Sequence, residues 1–137
     1  DAADVVVLAP SNPVVSVGTI LAVPGLRDAV RTAPGTVVGV SPIVGGAPVR
    51  GMADACLQAV GVETSAVGVA GLYGSRRDGG LLDGWVVDTV DADAVPAVEA
   101  LGITGAAVPA MMRDVPTATA LAADVLAVAD RLARERD

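Results

Sequence analysis

The feature that most constrains this chain is a series of short apolar runs without polar alternation, at residues 5–8 (VVVL), 37–40 (VVGV) and 85–87 (WVV). A strand with one wetted face alternates apolar and polar residues. Runs that do not alternate belong to strands covered on both faces, as in a parallel sheet held between layers of helix. Helical patterns do separate the runs. Residues 19–23 and 26–33 read as a helix interrupted at Pro24-Gly25, because proline lacks the N–H that a continuous helix needs. Residues 51–60 carry Met52, Cys56, Ala59 and Val60 at helical spacing, with Gly61 where the helix should stop. Ser65 is placed to cap a short helix that buries Ala66, Val69, Ala70 and Tyr73. Asp91 or Asp93 is expected to cap a helix running to Leu101, with Pro96 in its first turn, and residues 106–108 supply a fourth strand. Asp114 then opens a long helix with an apolar stripe at Leu121, Val125, Val128 and Leu132, and Arg131, Arg134 and Arg136 stand near its negative end. The expected class is α/β, and 137 residues suit a single domain over 1–137.

The side chains present limit the chemistry. The chain has no His and no Lys, and its nine basic residues are all Arg. That excludes a Ser-His-Asp or Cys-His nucleophile, a His-based zinc site, a Schiff base and the lysine-bearing phosphate loop. Charge stabilisation must come from backbone N–H groups, Arg, or a metal held by Asp and Glu. A net charge of −7 with one Trp and one Tyr is unsuited to nucleic acid, which asks for basic surface and stacking rings. The longest apolar stretches, at 17–26 and 118–129, are broken by Pro24 and Asp124, so neither reaches the roughly 20 residues of a membrane span. Asp1 and Asp4 occupy the place of a basic signal-peptide region. A lone cysteine, Cys56, forms no internal disulfide and fits a reducing, cytoplasmic setting. The first strand begins almost at once and there is no initiator Met, so the chain reads as part of something longer.

In open parallel sheets, ligands bind beyond the carboxyl ends of the strands. Two polar loops are expected there, APSNPVVSVG after the first strand and SPIVGGAPVRG after the second. Ser11, Asn12 and Ser16 offer hydroxyl and amide groups, and Gly18 would let a ligand approach the free N–H groups of a helix start. Gly45, Gly46 and Arg50 repeat the combination with bare backbone and a cationic fork. Together these seven residues describe a phosphate site. Read plainly, Ser11 is a turn residue and the glycines only turn the chain. The dinucleotide fingerprint GxGxxG is absent. Asp83, Asp88, Asp91 and Asp93 fail the calcium-loop pattern and are assigned to strand ends and helix caps, with no metal ligand among them. Arg76-Arg77 reads as a solvated loop, and Cys56 and Trp85 as core.

Several stretches taken together resemble one family: ADVVVLAPSNPVVSVGTILAVPGLRDAV, VVGVSPIVGGAPVRGMAD, LLDGWVVD and VEALGI. In order and spacing they are similar to the C-terminal half of the 2-phospho-L-lactate transferases (CofD, called FbiA in actinobacteria). The combination of SNP, SVG and LAVPG followed by SPIVGG carries the specificity. The resemblance implies a Rossmann-like three-layer sandwich with a mostly parallel sheet, partial here. It also implies a transferase of deazaflavin coenzyme assembly. That enzyme moves a phospholactyl or phosphoenolpyruvyl group from a guanosine-diphosphate-linked donor to the deazaflavin alcohol Fo, releasing GMP, with Mg2+, commonly as a homodimer. Phosphoryl-type transfer rests on positioning and charge neutralisation, which suits a chain without His or Lys.

The family's N-terminal half, with its glycine-rich first turn, acidic metal residues and Fo contacts, has no counterpart here. The catalytic residues are therefore expected outside these 137 residues, and the chain alone is expected to be inactive. The richness in Ala, Val and Arg resembles an actinobacterial coding bias, which favours the phosphoenolpyruvyl donor. Two other functions compete. Regulatory CofD-like proteins bind a nucleotide sugar without transfer chemistry, but their first loop resembles GPGSLYTS rather than APSNPVVS. An α/β interaction module with empty loops is the plainer reading.

Overall fold

Every residue of the strand Thr36–Val40 is buried, and so is every residue of Gly84–Asp88. These are the central strands, here β2 and β5, of a four-stranded sheet in which all pairings are parallel. The structure is a computed structural model that describes residues 3–136; Asp1 lies outside them. In chain order the elements are β1 (Val5–Leu8), α1 (Val17–Leu21), α2 (Leu26–Arg31), β2, β3 (Ile43–Val44), β4 (Ala47–Pro48), α3 (Ala53–Ala59), α4 (Ala66–Tyr73), β5, α5 (Val95–Ala100), β6 (Thr104–Val108) and α6 (Val115–Arg136). The sheet order is β1-β2-β5-β6, while β3 and β4 form a separate antiparallel hairpin. The α/β class and the mostly parallel sheet are as the sequence implies.

The alternating side chains of β2 and β5 go to two different cores, which is why those strands show no polar alternation. Val37, Trp85 and Val87 pack with α1, α3, α4 and α5 around Leu57, Val69, Leu82 and Val98. Val38, Val40 and Val86 face α6 through Leu121, Val125, Val128, Ala129 and Leu132. The stripe read along α6 is therefore its buried face. Asp114 caps this helix, with Oδ1 accepting from the amide of Thr117 at 2.9 Å. Ser65 caps α4 by accepting from Gly68 N at 2.9 Å, and the four residues expected on its inner face are all buried.

Four readings change. On α3 the buried residues are Ala53 and Leu57, whereas Met52 and Val60 are exposed. The buried face is offset by one residue from the expected stripe, of which Met52 and Cys56 line the cleft described below. Pro96 does lie in the first turn of α5, but no side chain caps that helix. Instead Asp88 caps the 3-10 turn Thr89–Ala94 that precedes it. Residues 43–48 form a hairpin rather than an open loop, because Gly45 and Gly46, at φ 60° and 79°, make the left-handed two-residue turn that tight hairpins favour. Arg76 is no solvated loop residue. Its guanidinium donates to the carbonyls of Arg31, Ala33 and Gly35, closing the C-terminal end of α2, and pairs with Asp83 at 2.7 Å.

Candidate functional site at the carboxyl edge of the sheet

Four segments converge beyond the carboxyl ends of the strands. Residues 10–16 follow β1, residues 41–42 follow β2, residues 49–56 lead from the hairpin into α3, and residues 110–112 follow β6. They enclose a cleft of about 770 Å3. The parallel topology explains the convergence, since every strand of the main sheet ends at this edge.

Of the seven residues expected to form a phosphate site, the fold brings four to the cleft: Ser11, Asn12, Ser16 and Arg50. The other three stand elsewhere. Gly18 lies within α1, where a Cβ would approach the Pro13 carbonyl oxygen to 2.9 Å, so it serves the packing of helix on loop. Gly45 and Gly46 form the hairpin tip, and the amide of Gly45 donates to Asp91 Oδ2 at 2.9 Å. With only five residues, α1 supplies little dipole to the cleft. Ser16 makes no side-chain cap bond to α1, which leaves its hydroxyl for the cleft.

The loop after β1 is built on Asn12. Its main-chain oxygen accepts from the amides of Ser16 and Val17, and its Oδ1 accepts from those of Val14 and Val15 at 3.0 and 3.1 Å. Asn12 Nδ2 donates to Cys56 Sγ at 3.4 Å. Cys56 is thus half-buried and lines the cleft, which corrects its reading as core. Ser41 is buried, bonded to Ile43 through both its hydroxyl donor and its acceptor, and fixes the turn between β2 and the hairpin. Apolar walls complete the site: Val15, Val49, Met52 and Met112 all line it and are 45% to 69% exposed.

The far wall depends on Asp88, which is only 5% exposed. Its Oδ2 accepts from Ala110 N at 2.9 Å, and its Oδ1 accepts from Val90 N at 3.0 Å. Burial raises the Asp88 carboxyl, but the amides of Val90 and Ala110, the Thr89 hydroxyl and the charge of Arg113 together outweigh it and hold the group below the ordinary value. Sequence reading missed the supporting roles of Asp88 and Asp91. Their distance from the loops in sequence gave no sign of them.

Among the described residues, no carboxylate lines the cleft and no group of three or more His, Cys, Asp or Glu side chains could hold a metal ion. Among the described residues, no helix is long and apolar enough to cross a membrane.

The chain is thus an α/β protein with a mostly parallel sheet, whose carboxyl edge carries a cleft with hydroxyls, an amide and an arginine, the edge at which open α/β sheets hold ligands. A family-wide profile described as 2-phospho-L-lactate transferase CofD matches residues 1–102, and the chain belongs to that family. A phosphoenolpyruvate transferase of Streptomyces griseus is 62% identical over 130 residues, which cover 95% of this chain and 40% of that protein. The protein of the same name from Streptomyces coelicolor is 58% identical with the same coverage. The one from Nocardia farcinica is 50% identical over 129 residues, or 94% of this chain and 37% of that protein. The chain thus spans about 40% of the length of the Streptomyces relatives.

Proposed function

We propose that this chain is the donor-holding part of a transferase that moves a phosphoenolpyruvyl or phospholactyl group from a GDP-linked donor to the deazaflavin Fo. The observation that carries this reading is the convergence of Ser11, Asn12, Ser16 and Arg50 on one cleft in a chain of the CofD family. The names of the Streptomyces and Nocardia relatives favour the phosphoenolpyruvyl donor. In the reaction, the terminal hydroxyl oxygen of Fo attacks the phosphorus that bears the organic acid. The new phosphate ester bond forms, the diphosphate bridge breaks, the hydroxyl proton leaves and GMP departs. The contribution of this chain is to orient and neutralise the diphosphate with Arg50 and the polar groups of residues 11–16, which is the larger part of phosphoryl-type catalysis.

Mg2+ belongs to the proposed reaction of the whole protein, and no residue of this chain is assigned to it. The setting proposed is cytoplasmic and the assembly a homodimer, which light scattering of the full-length protein tests. Full-length protein supplied with donor, Fo and Mg2+ should release GMP, whereas the 137 residues alone should release none. Binding of a UDP-sugar with no response to GDP overturns the transferase reading in favour of a nucleotide-sugar regulator.

A further inference from the structure

The hydrogen bonds of Asn12 fix the orientation of its amide. Oδ1 accepts two loop amides, so exchanging oxygen and nitrogen would set two N–H donors against an NH2 group. Nδ2 must then point away from its own loop, and it meets Cys56 Sγ on α3. Among the described residues this is the one side-chain hydrogen bond between the loop after β1 and α3, two walls of the same cleft. The amide nitrogen carries two hydrogens. Sulfur takes one, and the second remains for a ligand.

We propose that Cys56 is a positioning residue for the bound donor: by accepting from Asn12 Nδ2 it sets the plane of that amide and the spacing of the two walls, so that the second N–H meets a phosphate oxygen. This rests on the phosphate reading above and adds to it the residue that aims the amide. Sulfur is a weak acceptor, and the loop is already held by four bonds to Asn12 from amides of Val14 to Val17. Loss of the thiol therefore leaves the fold in place and changes ligand binding.

The test uses the full-length protein with GDP as probe. Cys56→Val keeps an apolar side chain of similar size but removes the acceptor, and should weaken GDP about fivefold, the effect of one modest hydrogen bond. Cys56→Ser restores an acceptor and should stay within about twofold of wild type. Ligand-free melting temperatures of both should agree with wild type within about 2 °C. Where Cys56→Val fails to fold, Cys56→Ala takes its place. In the wild-type protein, saturating GDP should slow maleimide labelling of Cys56, read by mass spectrometry of its peptide. Normal GDP binding by Cys56→Val, equal weakening in Val and Ser variants, or labelling indifferent to bound GDP each overturns this inference alone. A wild-type protein that does not bind GDP overturns the phosphate reading, and this inference with it.

Discussion

The indole of Trp85 lies against the backbone of Gly39, where a Cβ would stand 2.5 Å from Cζ3 and 2.7 Å from Cε3. The two residues are paired across β2 and β5. The ring is fully buried, its Nε1 donates to the Ala66 carbonyl at 3.0 Å, and its neighbour Tyr73 meets it edge-on with centroids 5.8 Å apart. Gly39→Ala must displace a ring fixed on three sides, so it should lower the stability of the full-length protein by about 1–3 kcal/mol, the usual cost of overpacking. Urea unfolding checks this. An unchanged midpoint would show that the ring moves freely.

Asp88 links stability to pH. Its folded pKa lies below the ordinary carboxylate value, so the ionised group stabilises the protein at neutral pH. That stabilisation is lost as pH falls below about 4 and through the lower folded value. Asp88→Asn should remove this part of the acid sensitivity. Near neutral pH it should cost about 1–3 kcal/mol, because a buried amide loses its acceptor. Unfolding measured at neutral and acid pH separates the two effects, and parallel pH profiles for wild type and variant would refute the assignment.

Arg50 is exposed at the cleft, and among the described residues it takes part in no salt bridge. A guanidinium free to meet an anion should matter to binding and little to folding. Arg50→Ala should weaken GDP by about tenfold, the worth of a charge-assisted bond, with melting temperature nearly unchanged. Arg50→Lys should recover part of the loss, since it keeps the charge but not the fork. Isothermal titration reads both, and equal affinity in all three proteins would remove Arg50 from the site.

What could be read from the sequence, and what could not, divides by the range of the interactions. The strands and α6 were legible because their burial is repeated along the chain, as in the stripe from Leu121 to Leu132. Ser65 was legible because a cap acts over three residues. The hairpin was missed although Gly45-Gly46 between apolar pairs is its local signal. The roles of Asp91, Arg76 and Cys56 were not legible, because their partners lie 46, up to 45 and 44 residues away. In the site, Ser11, Asn12 and Ser16 reach the cleft because they follow a strand end. Gly18, Gly45 and Gly46 have the same composition signal but answer to packing and turn geometry.

Arg76 and Asp83 are held at 2.7 Å with side chains only 15% and 18% exposed, at the amino edge of β5, away from the cleft. Arg76→Ala leaves the carbonyls of Arg31, Ala33 and Gly35 and the Asp83 carboxylate without this partner. The cost should be about 1–3 kcal/mol, the range for leaving partly buried hydrogen-bonding groups without their partner. GDP affinity of the folded protein should not change. A large loss of affinity at unchanged stability would return Arg76 to the status of a substrate clamp.

Asp91 separates two roles for Gly45. The carboxylate holds the Gly45 amide at 2.9 Å, and the hairpin so anchored leads through Val49 into Arg50. If the amide of Gly45 served a phosphate directly, Asp91→Ala would free it and binding would hold or improve. With the hairpin acting as a support, the same change loosens the segment that leads from it to Arg50 and weakens GDP by about threefold, within the range of one net hydrogen bond. Asp91→Asn, which keeps an acceptor oxygen, should bind as wild type does. Combining Asp91→Ala with Arg50→Ala should then add nothing to the loss from Arg50→Ala alone, because a support has no effect once the group it positions is gone. Additive losses in that double-variant cycle would show that Asp91 acts on the ligand by another route.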